Sequence, residues 1–253
     1  MNTVSKPTPP LIPGLRQLWK IAFGDDDAFL DNFFSLAFAP DRCRCIVAGD
    51  TVAAALYWFD VSCQGRKMAY LYAVATHPDY RNQGLCRQLM TATHEVLTQQ
   101  DYAGVVLVPQ NQGVIRMYAN MGYTTCTTVQ EFQASAQDPA VLLHQVDQEE
   151  YACHRRALLP ADGVVQEGAN LNFLASYASF YTGDNFVAAI VKEGDKLLCP
   201  EILGDPKLAP GILTALECRE GTFRCPGEET PFAMFLPLVK DCPQPGYFGH
   251  AFD

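Results

Sequence analysis

The sequence predicts an α+β fold in two units, 1–136 and 137–253, with a ligand-binding cleft in the first. Three observations lead there. A chain of 253 residues is longer than one small α/β domain requires and suffices for two of about 100 to 150 residues. Its first half alternates between helix-period and strand-period patterns in the order helix, helix, hairpin, strand, helix, strand, helix, strand. Past about residue 132 a similar order begins again. Apolar residues make up 49 % of the chain, which is ample for buried cores in both units.

In residues 13–23, Leu15, Leu18, Trp19 and Ala22 recur at three- and four-residue spacing, the mark of a helix with one apolar face, and Gly24 ends it. Asp25, Asp26 and Asp27 then read as an N-cap and first-turn charges of a second helix carrying Phe29, Leu30, Phe33, Phe34 and Ala37 on one side. Runs at 45–48 and 52–59 flank Gly49-Asp50, a hairpin signal. A third run, 68–76, is broken by His77-Pro78-Asp79. Residues 84–99 have helical spacing, 104–109 read as a buried strand, and 113–121 as a short helix stopped by Gly122. The second half predicts a strand at 141–146, helices at 147–159 and 171–181, strands at 186–192 and 196–203, a helix at 208–217, and strands at 232–238 and 247–252. The boundary falls in the polar stretch 133–139.

Composition narrows the function classes. No apolar run reaches the roughly 18 residues of a membrane span, and the start lacks a signal-peptide core, so the expectation is a soluble, cytoplasmic protein without a membrane partner. Ten scattered cysteines without a C-x-x-C pair read as thiols rather than disulfides or metal ligands. A net charge of −10 argues against nucleic acid and favours the approach of a cationic acceptor.

Thr76 to Met90, T-H-P-D-Y-R-N-Q-G-L-C-R-Q-L-M, places a strand, a tight polar turn and a helix start in succession. The first amides of a helix lack intrahelical partners and favour anions. Arg81 and Arg87 add charge, Gly84 permits close approach, and Asn82 tolerates unusual dihedrals. Neither a P-loop ending nor G-x-G-x-x-G is present.

At these residues the sequence resembles the GNAT (GCN5-related N-acetyltransferase) family, whose cofactor motif maps onto Arg81, Asn82, Gln83, Gly84, Leu85 and Cys86, with Cys86 in place of the usual Gly or Ala. N-Q-G-V-I-R-M-Y-A-N-M-G-Y, from Asn111 to Tyr123, is similar to the family's second block. The resemblance implies a GNAT fold binding acetyl-CoA as cosubstrate, with no metal. Backbone groups of Val74, Ala75 and Thr76 would pair with the pantetheine arm and polarise the thioester. Residues Arg81 through Arg87, with Asn111, would complete the cofactor site. Tyr118 would be the general acid for the leaving thiolate; the alternative is simple packing at a helix end. For the general base the candidates are Tyr72 through a water, His77, Glu131 and the terminal carboxylate of Asp253.

The second half shares the element order but carries Gly204-Asp205-Pro206-Lys207 where the cofactor loop would stand, and reads as a degenerate copy. This tandem arrangement is similar to acetyltransferases of the enhanced-intracellular-survival type. In that branch the terminal carboxylate lies in the active site, so 247–253 is expected either as an edge strand or as a tail returning to the first cleft. The expected activity is N-acetyl transfer to a primary amine of a small molecule or peptide, cationic ones included, by direct attack. The alternatives are a non-catalytic acyl-CoA sensor and a transferase of longer acyl or aminoacyl groups. Aromatic residues Phe29, Phe33, Tyr57, Trp58, Tyr70 and Tyr72 are candidates for an acceptor slot, although most should be core.

Overall fold

The computed structural model describes residues 3–252. The first half runs β1 (Val4–Ser5), α1 (Ile12–Phe23), α2 (Asp27–Leu36), β2 (Cys43–Ala48), β3 (Thr51–Cys63), β4 (Arg66–Thr76), α3 (Leu85–Gln99), β5 (Gly104–Leu107), α4 (Gln112–Ala119), β6 (Thr124–Thr125) and β7 (Thr128–Ser135). The second half runs β8 (His144–Val146), α5 (Gln148–Leu158), β9 (Val165–Gln166), α6 (Ala169–Leu174), β10 (Ser179–Gly183), β11 (Phe186–Glu193), β12 (Lys196–Gly204), α7 (Ala209–Ala215), β13 (Glu220–Pro226), β14 (Thr230–Pro231) and β15 (Met234–Pro237).

Two sheets organise these elements. The first has the order β1-β2-β3-β4-β5-β15-β6 with β9 added to β3, and the second the order β14-β7-β13-β12-β11-β10-β8. Among the described strands each sheet holds one parallel pair, β4 with β5 and β12 with β13. The halves exchange a strand: β15 pairs antiparallel with β5, and β7 pairs antiparallel with β13. Each sheet is therefore completed by a strand from the other side of 136/137.

Apolar faces explain the layers. Leu15, Leu18 and Trp19 of α1 and Leu30 and Phe33 of α2 are buried against one face of the first sheet, together with Phe173 of α6 and residues Tyr247, Phe248 and Ala251. The other face takes Leu85, Leu89, Met90 and Leu97 of α3. In the second half Ile212 and Leu213 of α7 pack on the second sheet with Ile190, Cys199 and Phe223.

The predicted elements of the first half stand, with Gly24 closing α1 in the left-handed region and Asp26, rather than Asp25, capping α2 through the Phe29 amide. In the second half the helix predicted over 171–181 stops at Leu174. Ser179–Gly183 is a strand held on one side by β11 and on the other by β8. Strand β13 has no counterpart in the sequence reading. The strand predicted over 247–252 is not formed; the segment makes one isolated bridge, Gly163 with Tyr247, and crosses to the first sheet. Strand β7 runs to Ser135 and so occupies the start of the predicted linker.

The described cysteines are all free thiols, six of them buried. No helix is long and apolar enough to cross a membrane.

Candidate active site

The site begins where two strands part. Parallel pairing of β4 with β5 runs from Met68 opposite Gly104 to Tyr70 opposite Val106, and then ends. On its other side β4 bulges: Ala55 faces Ala75 and Tyr57 faces Tyr72, so Ala73 and Val74 together oppose Leu56. A bulge leaves backbone groups outside the ladder. Ala73 sits at φ 49°, a region that a side chain adopts only where its surroundings impose it.

A cleft of about 810 Å³ fills this fork and continues to the start of α3. Val74, Ala75, Thr76, Arg81, Asn82, Gly84, Leu85, Cys86, Arg87 and Tyr118 of the sequence-derived set all line it. Gln83 and Asn111 do not line it. Gln83 instead donates from Nε2 to the Asp79 carbonyl at 3.3 Å. Asn111 caps α4, its Oδ1 accepting from the Gly113 and Val114 amides at 2.9 and 3.1 Å, and thereby fixes the helix that carries Tyr118.

The start of α3 differs from those of α2, α4 and α5, and shares with α1, α6 and α7 the lack of a side-chain cap. Carboxylate or amide side chains cap α2, α4 and α5, through Asp26, Asn111 and Asp147. Gly84 caps α3 at φ 77° with no side-chain bond. The first amides of α3 therefore remain available to an anion at the positive end of the helix dipole. A β-carbon at Gly84 would meet no protein atom within 4 Å, so a larger residue there would project into space otherwise open. Asn82, at φ 60°, supplies the left-handed turn before it. Arg81 donates to the Thr76 carbonyl at 3.3 Å, and both Nη atoms of Arg87 to the Asn120 carbonyl at 3.4 Å. Both side chains are thus anchored beside the helix start.

Tyr118 is 5 % exposed. Burial lifts its phenol above the ordinary value and the neighbouring Cys86 adds to the effect. Burial likewise raises the Cys86 thiol, with Arg87 opposing. Tyr118 therefore remains protonated through the neutral range and can donate a proton, not accept one.

Of the base candidates, Tyr72 lines the cleft. His77 and Glu131 do not: the Nδ1 of His77 accepts from the Asp79 amide, and Glu131 lies on β7 paired with Arg224 at 3.3 Å. Asp253 lies outside the described residues.

The far end of the cleft is aromatic. Trp19 and Phe23 of α1, Phe29 of α2, Tyr70 and Tyr72 of β4, Tyr177 and Phe252 form it. Asp25 also lines it, its Oδ2 accepting from the Trp19 indole N–H at 2.7 Å. Phe33, Tyr57 and Trp58, also candidates for this slot, belong to the core. Asp25 and Tyr177 escaped the sequence reading because their partners are brought by the fold. The one local signal was the acidic triplet, in which only Asp26 is needed as a cap.

Residues 4–126 match the family model described as an acetyltransferase (GNAT) domain. The first half of the chain is a GNAT domain. Activity of the coarse class that goes with it is acyl-CoA-dependent N-acyl transfer. Likeness to solved structures extends through both halves. A GCN5-related N-acetyltransferase from Anabaena variabilis ATCC 29413 superposes with a TM-score of 0.72 at 17 % identity, over 94 % of this chain and 73 % of that one. Eis1 from Mycobacterium abscessus gives 0.66 at 8 % identity, over 93 % and 74 %. A GCN5-related N-acetyltransferase from Sphaerobacter thermophilus gives 0.57 at 12 % identity, over 97 % of each chain. At these identities the likeness is one of fold, and it carries the tandem arrangement of two GNAT-like lobes. A search of curated proteins found no match.

Proposed function

We propose that the protein transfers an acetyl group from acetyl-CoA to the primary amine of a small molecule, by direct attack in a ternary complex. The observation that carries this reading is one continuous cleft. An uncapped helix start with Arg81 and Arg87 lies at one end, Tyr118 lines it, and an aromatic end with Asp25 completes it. The helix start and the two arginines suit a pyrophosphate. The bulge at Ala73 and Val74 suits the pantetheine arm and thioester, where a backbone N–H stabilises the oxyanion as the carbonyl becomes tetrahedral.

In the reaction the amine nitrogen forms a bond to the thioester carbon and the carbon–sulfur bond breaks. Tyr118 gives its hydroxyl proton to the departing sulfur. The proton lost by the amine passes by way of water beside Tyr72 and restores the Tyr118 phenol, so the products are an amide and free CoA thiol.

The acceptor end favours an amine on a flat or apolar body. Stacking on rings and contact of an ammonium with aromatic faces both serve such a molecule, and the Asp25 carboxylate provides a single countercharge. The test is acetyl-CoA titration by calorimetry, followed by thiol release with 2-phenylethylamine, spermidine, an aminoglycoside and peptides with free amino termini. Turnover of 2-phenylethylamine in preference to the polycations supports the reading. Binding without thiol release for any amine would move it to an acyl-CoA sensor, and absence of binding would overturn it.

A further inference from the structure

The second sheet has a fork of the same construction. Strands β12 and β13 pair from Lys196 opposite Glu220 to Cys199 opposite Phe223 and then separate. Two residues past the last pair stands Glu201, with no exposed surface; the residue two past the last pair in the first sheet is Tyr72. A buried carboxylate is costly unless fully partnered. Arg155 of α5 meets it with two bonds, Nε to Oε2 at 2.6 Å and Nη2 to Oε1 at 2.9 Å. Tyr151 and Tyr247 each donate a hydroxyl to it at 3.0 Å, and His250 Nε2 lies 2.8 Å from Oε2. Burial alone would raise the Glu201 carboxyl, but Arg155 and then His250 hold it well below the usual range. Burial lowers His250 from its ordinary value, with Glu201 opposing. Its Nδ1 meets no hydrogen-bond partner, which suits a ring protonated at Nε2, where Nδ1 carries a lone pair rather than an N–H.

Two of these contacts, those of Tyr247 and His250, fall on residues 247–252. Tyr247 also accepts from the Val164 amide at 2.8 Å through its carbonyl. Gly249 passes so close to the carboxylate that a β-carbon would stand 1.7 Å from Oε1 of Glu201. The side-chain amide of Gln166 takes both backbone groups of His250, Nε2 donating to its carbonyl at 2.6 Å and Oε1 accepting from its amide at 3.0 Å. The segment then leaves the second lobe: the Phe252 amide donates to the Tyr70 hydroxyl at 3.3 Å, and the Phe252 ring lies 5.3 Å from Tyr72 and 5.1 Å from Phe173. Ala251 and Phe252 are walls of the first cleft.

We propose that the second fork is a clamp for the chain's own residues 247–252, and that Glu201, Arg155 and Gln166 are positioning residues for the acceptor end of the first cleft. The inference rests on reading that cleft as the site of acyl transfer. A buried ion pair adds little net stability, yet fixes geometry when every donor is used. Here Arg155 also donates from Nη1 to the Val164 carbonyl and from Nη2 to Gln166 Oε1, so that each of its three nitrogens is engaged. Acyl-CoA is held by β4, α3 and α4, so the clamp should govern the acceptor and not the donor.

Two variants loosen the clamp differently: Gln166→Met removes the grip on His250, and Gly249→Ala forces the segment off Glu201. Phe252→Ala removes the wall and leaves the clamp intact. The expected result in either clamp variant is at least tenfold faster hydrogen exchange across residues 247–252, with the Kd for acetyl-CoA within twofold of wild type. For the best amine of the panel, KM rises at least tenfold, Phe252→Ala shows the same rise, and combining it with Gln166→Met adds less than threefold. If one clamp variant does not fold, judged by circular dichroism, the other decides. Unchanged exchange in the folded variants would overturn the clamp. Faster exchange with unchanged acceptor KM, or with acetyl-CoA binding weakened in parallel, would overturn its positioning role. Wild-type protein that binds no acetyl-CoA would instead overturn the acyl-transfer reading on which that role depends.

Discussion

Beyond Tyr70 and Val106 the first sheet opens around a cleft of about 810 Å³, whereas beyond Cys199 and Phe223 the second closes around Glu201 and the chain's own residues 247–252. Both forks have a parallel pair that parts, a turn, and a helix. The difference lies in few side chains. Helix α3 has 15 residues and starts at an uncapped Gly84 between Arg81 and Arg87. Helix α7 has 7 residues, and the turn before it spends the Lys207 amide on the Asp205 carboxylate, which would also repel a phosphate. Duplicated topology thus fixes where a pocket can form, and local capping and charge decide what fills it.

The comparison breaks most severely at the second fork. Glu201→Ala leaves Arg155 buried without its partner, and should cost about 3 to 5 kcal/mol, seen as a lower midpoint in urea unfolding. Unchanged stability would mean that the carboxylate is not the centre of that fork. At the first fork Tyr118→Phe should lower kcat about a hundredfold, or ~2.7 kcal/mol, with the acetyl-CoA Kd within twofold. A loss of binding instead would make Tyr118 a packing residue.

Acid should separate the forks further. Behind Tyr123, His94 is pulled down to about 4 by burial, from 6.5, and its Nε2 lies 2.8 Å from the Tyr123 hydroxyl. Between those values the unfolded chain binds a proton that the folded chain excludes, so stability is full above pH 6.5 and falls as pH drops toward 4. Partial exposure reduces the contribution to about 2 kcal/mol, and His94→Gln should flatten that part of the stability curve. Glu201, whose carboxyl is held well below its ordinary value of 4.5, retains its contribution down to about pH 4.5 and loses it as pH falls further. The smallest effect concerns encounter: with a net charge of −10, kcat/KM for a cationic amine should fall a few-fold between low and physiological salt, and a flat profile would remove steering from the account.

The two forks also differ in how far the sequence discloses them. The donor end of the first is legible because its determinants are local: the turn from Thr76 to Arg87, and Asn111 with Tyr118 on one short helix. The acceptor end is legible only in part: Phe29, Tyr70 and Tyr72 of the aromatic candidates line it, whereas Trp19, Asp25, Tyr177 and Phe252 meet there only after three separate segments converge. The second fork is hidden for the same reason, because Glu201, Arg155, Gln166 and Gly249 are far apart in the chain. Helical spacing over 171–181 misled because Ser179–Gly183 gains strand partners on both sides. Strand β13, E-G-T-F-R-C-P, lacks an apolar alternation and is fixed by β12 and β7. Where tertiary pairing outweighs local preference, periodicity gives no warning.

The central claim, that one fork takes acyl-CoA and the other takes the chain itself, is tested most directly by calorimetric titration of acetyl-CoA into wild type, Gly84→Glu and Lys207→Glu. The account predicts one site per chain, lost in Gly84→Glu, where a carboxylate enters the space before α3, and unchanged in Lys207→Glu at the equivalent turn. Two sites, or a single site that survives Gly84→Glu, would contradict it.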